Sequence, residues 1–176
     1  MNKQFQNKYR IASARAPWWD YSGNGVYFIT ICTANKVQYF GKIVKDNMQL
    51  SEIGKIAENE WIKTPEIRAD MNITLDKFCV MPNHFHGILM IGGNKYNMDT
   101  KCNNQFGPQS KNLASVIRGF KIGVTKNARL INGDFAWQTR FYDNIIRNDE
   151  GYYHIKNYIE TNPANWSQDK LFLPFL

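Results

Sequence analysis

The residues best placed to do chemistry are His84 and His86, in the run Pro82-Asn83-His84-Phe85-His86. On a strand, side chains at i and i+2 leave the same face, so both imidazoles project together while Phe85 points away. They are two of the chain's three histidines. Burying both in the apolar stretch HFHGILMI without a shared task leaves several ring nitrogens to satisfy. Two convergent imidazoles beside a proline turn are instead half of a metal site. The other half must come from elsewhere. Near the C-terminus, NYIETNP places Tyr158 and Asn162 four residues apart, on one face of a helix that Pro163 ends. Asn162 can lend a carbonyl oxygen to a hard ion such as Mg2+ or Mn2+. His154, one turn before Tyr158, competes for that role. Tyr158 offers a phenol oxygen that could attack a phosphodiester polarised by the same ion. On residue type alone, Tyr158 reads as well as helix packing and Asn162 as a simple helix end.

The charge balance suggests which phosphodiester. Lys and Arg number 22 against 15 Asp and Glu, a net charge of +7, and the pI is near 9.3. Such an excess favours a polyanion, and nucleic acid before membrane, because a basic surface gains by displacing counterions from phosphates. The excess is concentrated: from Gln109 to Arg147 there are seven basic residues against Asp134 and Asp143. Arg118, Lys121, Arg129, Arg140 and Arg147 are the candidates to position phosphates, with Trp137, Phe141 and Tyr142 available to stack on unpaired bases. A solvated helix face with aromatic core anchors is the plainer reading of the same residues. Cys32, Cys79 and Cys102 show no metal or disulfide spacing. No secretory leader or membrane-length apolar run is legible, so a cytoplasmic protein is expected.

These residues need elements to position them. GVYFITICT (residues 25–33) reads as a buried strand. QYFGKIVKDNMQLS follows as two short strands about a turn at Asp46-Asn47. Ser51 is a plausible N-cap for a helix carrying Ile53, Ile56, Ala57 and Trp61 until Pro65 stops it. Residues 73–80 read as another strand, Met81-Pro82-Asn83 interrupts it, and residues 84–91 resume. A helix over about 112–131 presents Leu113, Val116, Ile117, Phe120, Val124 and Ala128 as one stripe, with Arg118, Lys121 and Arg129 falling opposite. An aromatic-basic stretch after Gly133 leads to a last helix over about 149–162. The order β, ββ, α, β, β, α, α predicts an α+β fold: an antiparallel sheet with helices packed on one face. Residues 1–24 form a basic arm and the Gly- and Asn-rich residues 92–111 a long mobile loop, within one domain over 1–176.

The motifs resemble a known family. VMPNHFHGILMI is similar to the HUH motif (His, a hydrophobic residue, His) of the single-tyrosine HUH transposases. LASVIRGFK, then WQTRFYDNIIRNDEGYYHIKNYIETNPANW, resembles the C-terminal half of the REP-associated tyrosine transposase branch. The three motifs stand in the right order between about Val26 and Trp166. The resemblance implies a ferredoxin-like sheet, His84 and His86 as metal ligands and Asn162 as the third, where insertion-sequence members more often have Gln. It implies Tyr158 as the nucleophile, joined to the 5′ phosphate of cleaved single-stranded or hairpin DNA while a 3′ hydroxyl is freed. The protein would act as a monomer or homodimer. A replication-initiator or relaxase-type nickase shares this site. A non-catalytic single-strand-binding module would share only the basic and aromatic residues.

Overall fold

The computed structural model describes residues 4–5, 8–9, 16, 18–98 and 110–172. Half of the basic arm and the centre of the loop over 92–111 therefore lie outside the described residues. Two short arm strands, β1 (Gln4–Phe5) and β2 (Lys8–Tyr9), pair with each other. The next elements are β3 (Gly25–Cys32), the hairpin β4 (Gly41–Val44) and β5 (Asn47–Leu50), then α1 (Glu52–Ile62) and α2 (Thr64–Ile67). They are followed by β6 (Ile73–Met81), β7 (His84–Ile91), α3 (Leu113–Ala128), β8 (Tyr142–Ile146) and α4 (Asp149–Thr161).

Strands β6-β7-β3-β8 form, in that order, a four-stranded antiparallel sheet. With α1 and α3 as the two crossovers, this is the α+β, ferredoxin-like arrangement. Alternation along each strand sorts the side chains. Tyr27, Ile29 and Ile31 of β3 and Phe85 and Leu89 of β7 enter one core with Ile53, Ala57 and Trp61 of α1. The whole apolar stripe of α3, from Leu113 to Ala128, is buried there too. Trp61 lies so close over β7 that a Cβ at position 87 would sit 2.8 Å from its ring, which explains Gly87. Phe28 and Ile88 point the other way and form a smaller cluster with Ile159. The two crossover helices thus pack on one face, as expected, and α4 adds a cover to the opposite face.

Local chemistry sets the boundaries. Ser51 Oγ accepts from the Gly54 amide and starts α1. Asn112 and Ser115 form a reciprocal capping box that starts α3. Two expectations need correction. The hairpin turn is Lys45-Asp46, one residue earlier than expected, since both adopt the positive φ values of 49° and 61° that a two-residue turn demands. Pro65 does not simply end a helix: α1 stops before it, and Pro65 sits in the first turn of α2, where its missing N–H costs nothing.

Candidate metal and nucleophile site

Pro82 and Asn83 form the two-residue reversal between β6 and β7, with Met81 paired to His84. The backbone of this turn is held by Thr33, just past the end of β3, whose amide and hydroxyl both donate to the Asn83 carbonyl, each at 2.9 Å. That anchor fixes the start of β7, and its alternation sends His84 and His86 to the face covered by α4. Both rings are buried, and their centroids lie 4.4 Å apart.

Each imidazole has a partner on one nitrogen. His84 Nδ1 lies 2.8 Å from Asn83 Oδ1, and Asn83 in turn donates from Nδ2 to the Leu171 carbonyl. His86 Nδ1 lies 2.8 Å from Oγ1 of Thr30, its cross-strand neighbour. The far nitrogens face a common space. His84 Nε2 is buried without a hydrogen-bond partner, and so is Asn162 Oδ1. His86 Nε2 lies 3.3 Å from the Tyr158 phenol oxygen. Asp169 completes the group: its Oδ2 accepts from Asn162 Nδ2 at 3.0 Å and from the Tyr158 hydroxyl at 3.4 Å. His84, His86 and Asp169 offer ligand atoms that all lie within 4.8 Å of one another.

The electrostatics suit a cation. Burial pulls His86 down to about 4 against the opposing charge of Asp169, and burial, then His86, pulls His84 well below the usual range. Both rings are therefore neutral at pH 7, with lone pairs free to bind a metal. Tyr158 is pushed up to about 12 by burial and by the nearby Asp169 charge. A negative phenolate is unfavourable here unless positive charge is added. Two neutral imidazoles, a carboxylate and the orphaned amide oxygen of Asn162 around one space are a donor set that fits a divalent ion, with Asn83 and Thr30 as the outer partners that orient the rings.

The structure brings together His84, His86, Tyr158 and Asn162. It leaves out His154, which is exposed and not in the group. Asp169, absent from the sequence reading, joins it. It sits just past the short 3-10 turn Trp166–Gln168, which packs Trp166 near His84, with ring centroids 5.8 Å apart. Of the other tyrosines on α4, Tyr152 donates its hydroxyl to Asp76 and Tyr153 is exposed.

The basic candidates lie elsewhere. Arg118, Lys121, Arg129 and Arg140, with Lys126, line a cleft of about 730 Å³ between α3 and residues 137–141, floored by Ile117, Trp137 and Phe141. Because the apolar stripe of α3 faces the sheet, this cleft opens across the sheet from Tyr158. Backbone carbonyls engage Lys121 and Arg129. Lys121 Nζ donates to the carbonyls of Gln138 and Arg140, and Arg129 Nε donates to that of Phe135. Arg147 sits 4.6 Å over the Trp18 ring. Trp137 and Phe141 pack against the core, while Tyr142 is exposed. No helix among the described residues is long and apolar enough to cross a membrane.

No protein-family model matches the chain. It is 38% identical over 168 residues to an uncharacterized protein of Haemophilus influenzae, covering 92% of each chain. Among solved structures it resembles that of a REP-associated tyrosine transposase bound to a REP hairpin, with a TM-score of 0.60 and 20% identity over 91% of this chain and 77% of that one. At that identity the likeness is one of fold.

Proposed function

From the premise that the chain belongs to one family with the Haemophilus influenzae protein and has the fold of a REP-associated tyrosine transposase, we propose that it is a DNA-cutting and rejoining enzyme of that branch. In this reading it works in the cytoplasm on single-stranded or hairpin DNA, through a 5′-phosphotyrosine. The observation that carries the proposal is the Tyr158 phenol, 3.3 Å from His86 Nε2 and beside the orphaned His84 Nε2 and Asn162 Oδ1.

His84, His86, Asn162 and Asp169 would hold a divalent ion, Mg2+ or Mn2+. Bound there, it would supply positive charge to polarise the scissile phosphate and offset charge on the phenol oxygen. Tyr158 Oη forms a bond to phosphorus as the bond from phosphorus to the 3′ oxygen breaks, and the freed 3′ oxygen takes up a proton. Asp169 Oδ2, 3.4 Å from the phenol, is within reach of the proton that Tyr158 gives up. One phosphodiester is exchanged for another, so rejoining needs no ATP. His86 and the edge of Phe28 hold the Tyr158 ring in place, with centroids 5.3 and 6.0 Å away. Arg118 and Arg140, in the cleft that Lys121 and Arg129 help to shape, and Arg147, outside it beside Trp18, contact backbone phosphates.

The test is incubation of labelled single-stranded hairpins with the protein and Mg2+ or Mn2+, followed by denaturing electrophoresis. A covalent adduct that needs the ion and disappears in Tyr158→Phe is expected. DNA binding without any adduct would reduce the protein to a binding module. An adduct that persists in Tyr158→Phe would move the nucleophile to another residue.

A further inference from the structure

Helix α4 carries Tyr158, yet its only buried residue is Ile159. Ile155 and Tyr152 add partial packing on the cluster of Phe28 and Ile88. Apolar contact of this kind resists removal of the helix but says little about where along the sheet it sits. A chemical step that depends on a 3.3 Å approach needs a firmer reference.

Strand β6 supplies one. Its register against β7 shifts between Leu75 and Phe78: Leu75 pairs with Leu89 and Phe78 with Gly87, so β6 holds one extra residue there. In an unbroken strand, Asp76 and Lys77 would point to opposite faces, and one charge would enter the core. The bulge turns both toward α4, while Leu75 and Phe78 on either side stay with the main core. The α4 groups that meet them are complementary. Asp76 Oδ2 accepts from the Tyr152 hydroxyl, and Asp76 Oδ1 lies 3.7 Å from Lys156 Nζ. Lys77 Nζ lies 2.7 Å from Glu160 Oε1. Lys156 also sits 5.5 Å over the Tyr152 ring. The attachments thus fall at positions 152, 156 and 160, one per turn, along the edge of α4 that faces β6.

We propose that the bulge at Asp76-Lys77 is a positioning clamp that sets the axial register and rotation of α4, and so the approach of Tyr158 to His86. Asp76 is its main positioning residue, because it holds two α4 side chains at once. The proposal rests on the assignment of Tyr158 as nucleophile. Exposed ion pairs contribute little to overall stability, so the clamp acts on where α4 sits and hardly on whether the chain folds.

The test uses the full-length chain and Asp76→Asn, Tyr152→Phe, Lys77→Glu, Glu160→Lys and the Lys77→Glu/Glu160→Lys exchange. Two quantities are read: the single-turnover rate of adduct formation on a labelled hairpin, and amide hydrogen exchange in residues 149–161. We expect Asp76→Asn and Tyr152→Phe each to slow adduct formation by about fivefold, the factor that matches one ordinary side-chain hydrogen bond. Hairpin Kd and Mn2+ affinity should stay within about twofold. Each single charge reversal should slow the step and the exchange variant should recover most of it. Amide exchange in α4 should rise in the slowed variants and fall back in the rescued one. Unchanged rates in Asp76→Asn and Tyr152→Phe, failure of the charge exchange to rescue, or a loss of rate matched by an equal loss of DNA binding would each overturn the proposal. If the parent protein forms no adduct, the assignment of Tyr158 fails. The amide-exchange arm then still decides whether the clamp holds α4: faster exchange supports it and unchanged exchange overturns it.

Discussion

On β7, Phe85 and Leu89 point into a layer sealed by Trp61 and Phe120, with ring centroids of Phe85 to Trp61 and to Phe120 only 4.7 and 5.4 Å apart. The residues on either side of Phe85, His84 and His86, point into a layer covered by a helix with a single buried side chain. The first layer is dense and apolar apart from the buried Trp61 indole N–H, which has no partner. The second leaves His84 Nε2 and Asn162 Oδ1 buried without partners. The same strand thus spends alternate residues on stability and on an unsatisfied polar pocket. A pocket of that kind is tolerable only because the opposite layer holds the fold together.

Substitutions on the two layers should separate these roles. Trp61→Ala, on the dense side, should cost about 3–5 kcal/mol in urea unfolding. His84→Ala with His86→Ala should cost less than half as much, while Mn2+ affinity measured by calorimetry falls at least about 100-fold, beyond what loss of an outer partner such as Asn83 costs. Equal destabilisation by both sets would erase the distinction between the layers. Acid should pick out the polar side. A buried histidine held below its usual range protonates later in the folded chain than in the unfolded one. Stability is therefore full above about pH 6.5 and declines as the pH falls toward the folded value of about 4 for His86. The slope in chelator-treated protein should approach about 1.4 kcal/mol per pH unit for each such imidazole. His86→Ala should flatten it, as read from urea midpoints at pH 7, 6 and 5.

Much of this contrast was legible in the sequence, because it is periodic. The spacing of two in HFHGILMI and the 3.6-residue stripe of α3 predicted which side chains share a face, and Leu113, Val116, Ile117, Phe120, Val124 and Ala128 are all buried. Asp169 was not legible. It follows Pro163 in an irregular segment where no period links a residue to the site, and only the tertiary path of residues 166–172 brings it to Asn162. The bulge at Asp76-Lys77 was hidden for a related reason, since one inserted residue leaves β propensity unchanged. The basic residues of α3 were found, but not the carbonyls of Phe135, Gln138 and Arg140 that occupy Arg129 and Lys121.

That last difference gives two smaller predictions. Arg118→Ala should lower the log–log salt slope of single-strand binding by up to about 0.7, whereas Lys121→Ala should chiefly lower stability by about 1 kcal/mol as two backbone acceptors lose their donor. A larger slope change for Lys121→Ala would show that it reaches phosphate despite its bonds. Smallest of all, Arg147→Ala should cost about 0.5–1 kcal/mol through its lost contact with the exposed Trp18 ring, visible as a shift in Trp fluorescence.

The irregularity in β6 has a consequence of another kind. In the order β6-β7-β3-β8, β6 is an outermost strand, and a long straight border strand invites a neighbouring molecule to zip alongside it. The extra residue at Asp76-Lys77 breaks the even spacing of amides and carbonyls along that border, and the two charges beside it would have to shed water for any newcomer to dock. The same kink that turns two side chains toward α4 makes β6 a poor border for a second molecule to extend.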